Sequence, residues 1–502
     1  MSYKVIVLDI GKTHKKMYVY DENLRCLNPD EEGVQFDTLT WETPTGQVLE
    51  CDDMDAISTW MLGCLRNAAD RYDDIRAISV STHGATIALL GDRRDQIFEG
   101  DGGLVFPIIS YENEVGEQTH ESFYTRIGMS PKEVQRKTAT PALSWLLNHA
   151  KQIHYLQREA PNRFEQVTDI LMFPQYIGYL LSGMVGVEPT YLGCHGCLLD
   201  ASGNHYSEVA EELGVVDLLP DVPLSNTWDV LGTLKPDLAE STGLREDCVV
   251  TMGVHDSNAA LVPYLGKGME KCVIQDSGTW VVTMAPLPDA EVFFEEDELG
   301  LEVFFNRDIY GNPVKTTIFR GGAEFDFYRS NVLASMDRPQ GIDQDLLVEL
   351  VENREAFALP TIERGAGLFP DSVARLEATD VIFRDASTAW HVVDLGIAVQ
   401  GWCALQMAAG RCPEKVFIEG NVGRHNPVYR GVISGLLPNS TVKYGSGGGA
   451  PFGAAILGAA AVEKVRPEEL SKRYEIELQN PEALRVSSGK LAEYAQSFLE
   501  RL

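Results

Sequence analysis

Val5-Ile6-Val7-Leu8 followed by Asp9-Ile10-Gly11-Lys12-Thr13 opens the chain, and Met17-Tyr18-Val19-Tyr20 comes directly after. The four apolar residues read as a buried strand, the next five as a polar, glycine-bearing turn, and residues 17–20 as a second strand closed by the turn signal Asp21-Glu22-Asn23. The chain therefore begins as an antiparallel meander. A matching unit stands far downstream, where Lys271-Cys272-Val273-Ile274-Gln275 leads into Asp276-Ser277-Gly278-Thr279 and leaves through Trp280-Val281-Val282-Thr283. Half the chain separates the two, far beyond a solenoid period, so one supersecondary unit is expected once in each of two lobes.

A glycine after a strand lets the backbone bend until successive N–H groups face a phosphate, and a hydroxyl and an ammonium add donors. Gly11, Lys12 and Thr13 supply one such set and Gly278 and Thr279 another. Two loops from two lobes can grip a triphosphate from both sides. Neither is a Walker A sequence, and each alone is equally a plain tight turn; their recurrence favours phosphate. Asp9 reads either as a turn-former bonding its own backbone or as a carboxylate holding Mg²⁺ through water.

His255-Asp256-Ser257-Asn258 lies between an apolar strand at 249–253 and a helix starting near 257, where the helix dipole favours an ionised Asp256. Asp256 is either an N-cap or the base that a phosphoryl-accepting alcohol requires. Gly445-Ser446-Gly447-Gly448-Gly449-Ala450 is a loop that a flat ring or ribose can approach closely, or a plain surface loop. His83 in Ser81-Thr82-His83-Gly84, and Tyr111-Glu112-Asn113, both follow apolar strands and are either pocket groups or buried structural ones.

Helical periodicity at 55–69 and 143–157, strands at 77–80 and 416–419, and a helical tail from 471 complete an α/β chain with mixed sheets. At 502 residues it exceeds a single core, and the lobe boundary is expected between Pro263 and Gly268. A formal charge of −32 disfavours nucleic acid and anionic membrane as partners. Salt screens such charge over about 8 Å, so a local nest of donors can still hold a nucleotide. Met1-Ser2-Tyr3-Lys4 does not resemble a signal peptide, and no apolar run approaches the roughly 20 residues that span a bilayer. Nine scattered cysteines suggest reduced thiols in cytoplasm. Cys194 and Cys197 in Cys194-His195-Gly196-Cys197 would be half of a zinc site, but no second pair accompanies them, and they read as ordinary buried thiols.

Taken in order, these segments resemble the FGGY carbohydrate kinases, relatives of actin, hexokinase and heat-shock chaperones, from about residue 3 to 460. Asp9-Ile10-Gly11-Lys12-Thr13 looks like the family's first phosphate loop, and Gly253-Val254-His255-Asp256 is similar to the segment with its catalytic Asp. Asp276-Ser277-Gly278-Thr279-Trp280 resembles its second phosphate loop, especially that of rhamnulokinases. Glu419-Gly420-Asn421, residues 428–436 and Gly453-Ala454-Ala455 resemble the adenosine-binding region, and Phe319-Arg320-Gly321-Gly322 a glycine-bearing active-site segment.

The resemblance implies two ribonuclease H-like, actin-like ATPase lobes with mixed sheets and an inter-lobe cleft. The N-terminal lobe would span 1–262, the C-terminal lobe 263–462 and a helical tail 463–502. It implies ATP- and Mg²⁺-dependent phosphorylation of a small sugar, a ketose of the rhamnulose or fuculose kind, with Asp256 as general base and Asp9 organising the metal. ATP would be held by Gly11, Lys12, Thr13, Lys16, Gly278, Thr279, Gly321, Gly420, Asn421 and Gly449. His83, Gly84, Tyr111, Asn113 and His255 would join Asp256 around the sugar. A cytoplasmic protein, with homodimerisation common among such kinases, fits this picture. The alternatives are another ketose or alditol as substrate, or a non-catalytic sugar or nucleotide sensor on the same fold. Ser81, His83 and Thr86 stand where rhamnulokinases carry Asp, Trp and Asp, and Gly448 replaces an expected Glu. The machinery is intact while the specificity surface has changed.

Overall fold

The computed structural model describes residues 2–92, 103–269, 271–288, 290–363 and 365–502. Its first strand, Lys4–Ile10, runs antiparallel to Lys15–Asp21, with Asp9 opposite Lys16, and parallel to Ile75–Thr82. The last of these strands also pairs with Val249–Thr251 and, beyond a break at Gly253 (φ +81°), with Val254–His255. Ser81 therefore faces Asp9 on one side and Val254 on the other. This register sets the first turn and the Asp256 segment side by side at the carboxyl ends of parallel strands, where open α/β sheets bind ligands.

The same unit recurs in the second sheet. Cys272–Ser277 runs antiparallel to Val281–Pro286 and parallel to Lys415–Glu419, which places Asp276 opposite Val282 and Glu419. One apolar core underlies the first sheet around Ile6, Leu8, Ile78 and Val80, and another the second around Val273, Val281 and Ile418. A third, containing Val5, Val7, Ile274 and Phe417, joins the two.

Two helices fill that joint, Asp256–Gly266 and Gly449–Glu463. Pro263 lies inside the first and has no N–H for the carbonyl of Ala259 one turn back. Gly453 approaches that freed carbonyl so closely that a Cβ there would lie 1.8 Å from it. The Asp256–Gly266 helix thus runs unbroken through residues 262 and 263 and ends within the 263–268 stretch expected to hold the lobe boundary. Gly449–Glu463, expected in the second lobe, also packs on the first: a Cβ on Gly458 would stand 2.4 Å from Val5 Cγ1.

Three sequence expectations need correction. The helix expected at 143–157 runs His149–Glu159. Asn148 pins the residues before it as a loop, accepting the Leu143 N–H (3.2 Å) and donating to the carbonyls of His195 (2.9 Å) and Pro141 (3.3 Å). The tail is not simply helical, because Glu477–Gln479 pairs with Thr441–Ser446 and closes a sheet edge before the helix Ser488–Leu499. Finally, Ala386–Ala409 is long and apolar enough to cross a membrane (24 residues, mean hydropathy 1.3), although 78% of its apolar stretch is buried inside the fold. His391, Asp394 and Gln400 interrupt it, so it contains no unbroken apolar run of that length.

Candidate functional site

A cavity of about 300 Å³ opens between the two sheets, with Lys12, Thr13, His83, Tyr111, His255 and Asp256 on its first-lobe side. Gly84 lies among them. The opposite wall is apolar and comes from Leu143, Leu147, Trp280, Phe304 and Ile318.

Asp256 is the first helical residue, and the N-cap position belongs to His255 instead. Its Oδ1 accepts the Ser257 N–H (2.6 Å) and lies 3.4 Å from His255 Nε2, while the side chain keeps 32% exposure. The carboxylate is thus anchored at a helix N-terminus yet open to a ligand. His255 is set in place by its backbone N–H on Thr190 Oγ1 (3.2 Å) and its Nδ1 on Asn258 Oδ1 (2.7 Å). Thr190 is in turn held by Glu188, a fully buried carboxylate that also accepts the N–H groups of Thr190 and Tyr191 (both 2.8 Å). Asn258 stands in the polar cluster quoted above without a role of its own, while Glu188 and Thr190 are signalled in the sequence only by Glu188-Pro189, an acidic N-cap ahead of a helical proline.

Burial pushes His83 down to about 4, against the opposite pull of Asp52. Its Nδ1–H donates to the Gly84 carbonyl (3.0 Å), which leaves a neutral ring with a lone pair on Nε2. Lys12, expected at a phosphate, is 3.2 Å from Asp52 Oδ1 and 5.5 Å from the Tyr111 ring centre. Asp52 ends the strand Val48–Asp52, is buried, and needs a cation; the sequence reading did not include it. Asn113 is not brought into the cavity. Its Nδ2 donates to the carbonyls of Glu50 and Ser110 (both 2.8 Å), and its Oδ1 accepts the Glu50 N–H (2.8 Å). That use of the whole amide makes it a backbone bolt.

Three carboxylates converge across the cleft. Burial, and then the charge of Asp256, pushes Asp9 up to about 7 and Asp276 up to about 6. Ser81 and Lys16 pull Asp9 the other way, Lys16 from its place opposite Asp9 in the strand pair. Such mutual repulsion is what a cation among them relieves.

A second cavity of about 410 Å³ adjoins on the second lobe, lined by Gly278, Thr279, Gly322, Arg338, Asn421 and Asn426. Thr279 lines both cavities. Ser277 ties the Gly278 turn to the helix Gly420–His425, donating to the Glu419 carbonyl and accepting the Gly423 N–H (2.6 Å). Gly420 (φ +79°) has no room for a side chain, since a Cβ would lie 2.6 Å from Asp276 Oδ1. At Gly322 a Cβ would lie 2.1 Å from the Gly278 carbonyl, whereas Gly321 faces Phe319 and Val281. Gly322 is therefore the member of that pair at the cavity. Gly449 starts its helix outside the lining, and the neighbouring Gly447 N–H is spent on Glu419 (2.5 Å). Gly11 shapes the first turn, where a Cβ would meet the His14 carbonyl at 2.9 Å.

Residues 4–263 match the FGGY family of carbohydrate kinases, N-terminal domain, and residues 270–467 match the carbohydrate kinase FGGY C-terminal domain. The chain belongs to the FGGY family of carbohydrate kinases. A carbohydrate kinase of Novosphingobium aromaticivorans superposes on this FGGY chain with a TM-score of 0.79 and 26% identity, over 99% of this chain and 98% of its own. The two-lobe, actin-like arrangement with mixed sheets is the shared fold. A rhamnulokinase of Bacteroides thetaiotaomicron is 27% identical over 248 residues, 48% of this chain and 47% of its own length. An autoinducer-2 kinase of Escherichia coli is 24% identical over 41% of this chain and 37% of its own length. The chain thus spans less than half the length of these curated relatives.

Proposed function

We propose that this FGGY protein transfers the γ-phosphoryl group of ATP to a hydroxyl of a small ketose, and that the preferred ketose carries a terminal methyl group, as rhamnulose and fuculose do. The observation that carries the reading is Thr279, common to both cavities, with Asp256 on the sugar side of it. A phosphoryl group held at that turn stands between nucleotide and acceptor, and positioning with charge neutralisation is most of what such a transfer needs.

Asp256 takes the proton of the attacking hydroxyl. Thr279 and Thr13 hold phosphate oxygens, while Gly322, Asn421 and Asn426 support the nucleoside. Asp9 fits a hydrated Mg²⁺, because its carboxyl is burdened by burial and by Asp256 and because Mg²⁺ keeps waters beside one or two carboxylates and the phosphates. The ion would neutralise phosphate charge. Lys12, steadied by Asp52, offers a donor to a sugar hydroxyl, and the His83 ring lines the cavity beside it. Closure of the two lobes would exclude water as a competing acceptor. Nine free cysteines support a reducing, cytoplasmic setting.

The apolar wall of Leu143, Leu147, Phe304 and Ile318 favours the methyl-bearing sugar, since burying a hydroxymethyl against it leaves a polar group unpaired. The similarity to a rhamnulokinase points the same way. ADP release with Mg-ATP, measured over matched pairs of 6-deoxy and 6-hydroxy ketoses, tests this. A deoxy member preferred by tenfold or more in kcat/KM is expected; preference for hydroxymethyl ketoses or alditols overturns the substrate class, and no sugar-stimulated release overturns the kinase reading.

A further inference from the structure

We propose that Cys194, His195 and His255 form a binding site for a soft or borderline divalent cation, zinc foremost, on the floor of the sugar cavity. The Cys194 Sγ and one ring nitrogen of each histidine lie within 4.8 Å of one another, and among the described residues no other group of three His, Cys, Asp or Glu gathers so tightly. Zinc bonds of about 2.3 Å to sulfur and 2.0–2.1 Å to nitrogen set a tetrahedral S···N separation of about 3.5 Å. The two ring nitrogens of His195 stand 2.9 and 3.9 Å from the sulfur and bracket that value.

Two further features prepare the histidines. Gly84 leaves the space into which both rings point, since a Cβ there would lie 2.6 Å from Nε2 of His195 and 2.6 Å from Nε2 of His255. Asn258 donates its amide to the Arg307 carbonyl and so turns Oδ1 toward His255 Nδ1, 2.7 Å away. Nδ1 is thereby the nitrogen that keeps its proton and Nε2 the one a metal takes, as an outer partner arranges for a metal-bound imidazole. Nε2 faces Asp256 Oδ1 at 3.4 Å, where a proton or a cation belongs between them.

The Cys-x-x-Cys spacing misled the sequence reading. Cys197 turns away toward Lys151 and Thr138, and the missing ligand comes from His255, on a different element. Binding replaces the Cys194 thiol proton, which leaves to solvent. Three protein ligands leave one position open, and the carboxylate of Asp256 stands beside one of them, Oδ1 3.4 Å from His255 Nε2. A bound cation attracts that carboxylate, so occupancy opposes the proposed transfer. The binding itself does not depend on the kinase reading.

Titrating Co²⁺ into the metal-free, full-length protein, with no nucleotide or sugar, reads the site through thiolate-to-cobalt charge-transfer absorption. One ion per chain is expected, displaced by Zn²⁺. The band should vanish and affinity fall at least tenfold in Cys194→Ser and in His195→Gln, and both should persist in Cys197→Ser. Circular dichroism checks folding, and His195→Gln decides if Cys194→Ser does not fold. No band in the parent, a band that survives Cys194→Ser, or one lost in Cys197→Ser overturns the site. With sugar present, Zn²⁺ should suppress ADP formation over the concentrations that fill the site; filling without suppression overturns the effect on Asp256.

Discussion

At the second-lobe cavity the turn is fixed by close backbone contacts, with Gly322 pressed against the Gly278 carbonyl, Gly420 against Asp276, and Ser277 stitching the turn to the Gly420–His425 helix, beside the side chains of Phe325, Arg338, Asn421 and His425. At the sugar cavity the walls are side chains, and they come from separate places: the loop before His149, the Cys194-His195 corner, and the strands Val303–Arg307 and Pro313–Phe319. The first construction tolerates no added atom at its glycines. The second tolerates substitution and converts each into a change of ligand. A kinase fold can therefore keep one nucleotide and trade sugars.

Substitutions that touch chemistry, backbone and side-chain wall separately would sharpen or break this contrast. The largest effect belongs to Asp256→Asn, for which kcat should fall by about 10²–10⁴, the usual worth of a positioned base, while calorimetry finds ATP binding unchanged. A turnover within a few-fold of the parent would make Asp256 structural. Gly322→Ala should come next, because its Cβ would sit 2.1 Å from a backbone carbonyl that cannot rotate away. ADP affinity should drop tenfold or more, with a stability loss of about 1–3 kcal/mol by denaturant titration. Tight ADP binding by this variant would show that the wall yields.

Ile318→Thr puts a hydroxyl on the sugar wall in place of an ethyl group, and should lower the kcat/KM ratio of deoxy to hydroxymethyl ketose by about tenfold, within the 1–3 kcal/mol that such pocket contacts discriminate. An unchanged ratio would remove Ile318 from specificity. The smallest effect concerns His83, whose folded value of about 4 lies below the ordinary 6.5. The unfolded chain takes up this proton first as pH falls, so the stability it contributes is complete above about 6.5 and lost on descent toward 4. The melting temperature of His83→Gln minus that of the parent should rise between pH 7 and pH 4.5, and a constant difference would contradict a buried neutral ring.

Legibility in the sequence followed the same division. The meander, its repeat at Asp276, and the Asp256 segment were readable because strand and turn chemistry are local, and the backbone-built cavity follows from them. Glu188 and Thr190 were not, because they act on His255 through contacts that form only when distant elements meet, whereas Asn258, in the same cluster as His255, takes its part only once the helix turn brings it under that ring. Lys12 and Asn113 were assigned by their neighbours in sequence, yet Asp52 and the Glu50 backbone, strangers in sequence, determine what they do. Cys194 needed His255, sixty residues away, before its surroundings had chemical meaning.

The central claim is that the group leaving ATP goes to a sugar and not to water. Phosphorus NMR of the products formed from Mg-ATP and the best ketose measures this directly. One sugar phosphate per ADP, with ADP formation near zero when sugar is omitted, is the expected result. ADP accompanied by inorganic phosphate alone, at a rate indifferent to sugar, would contradict it.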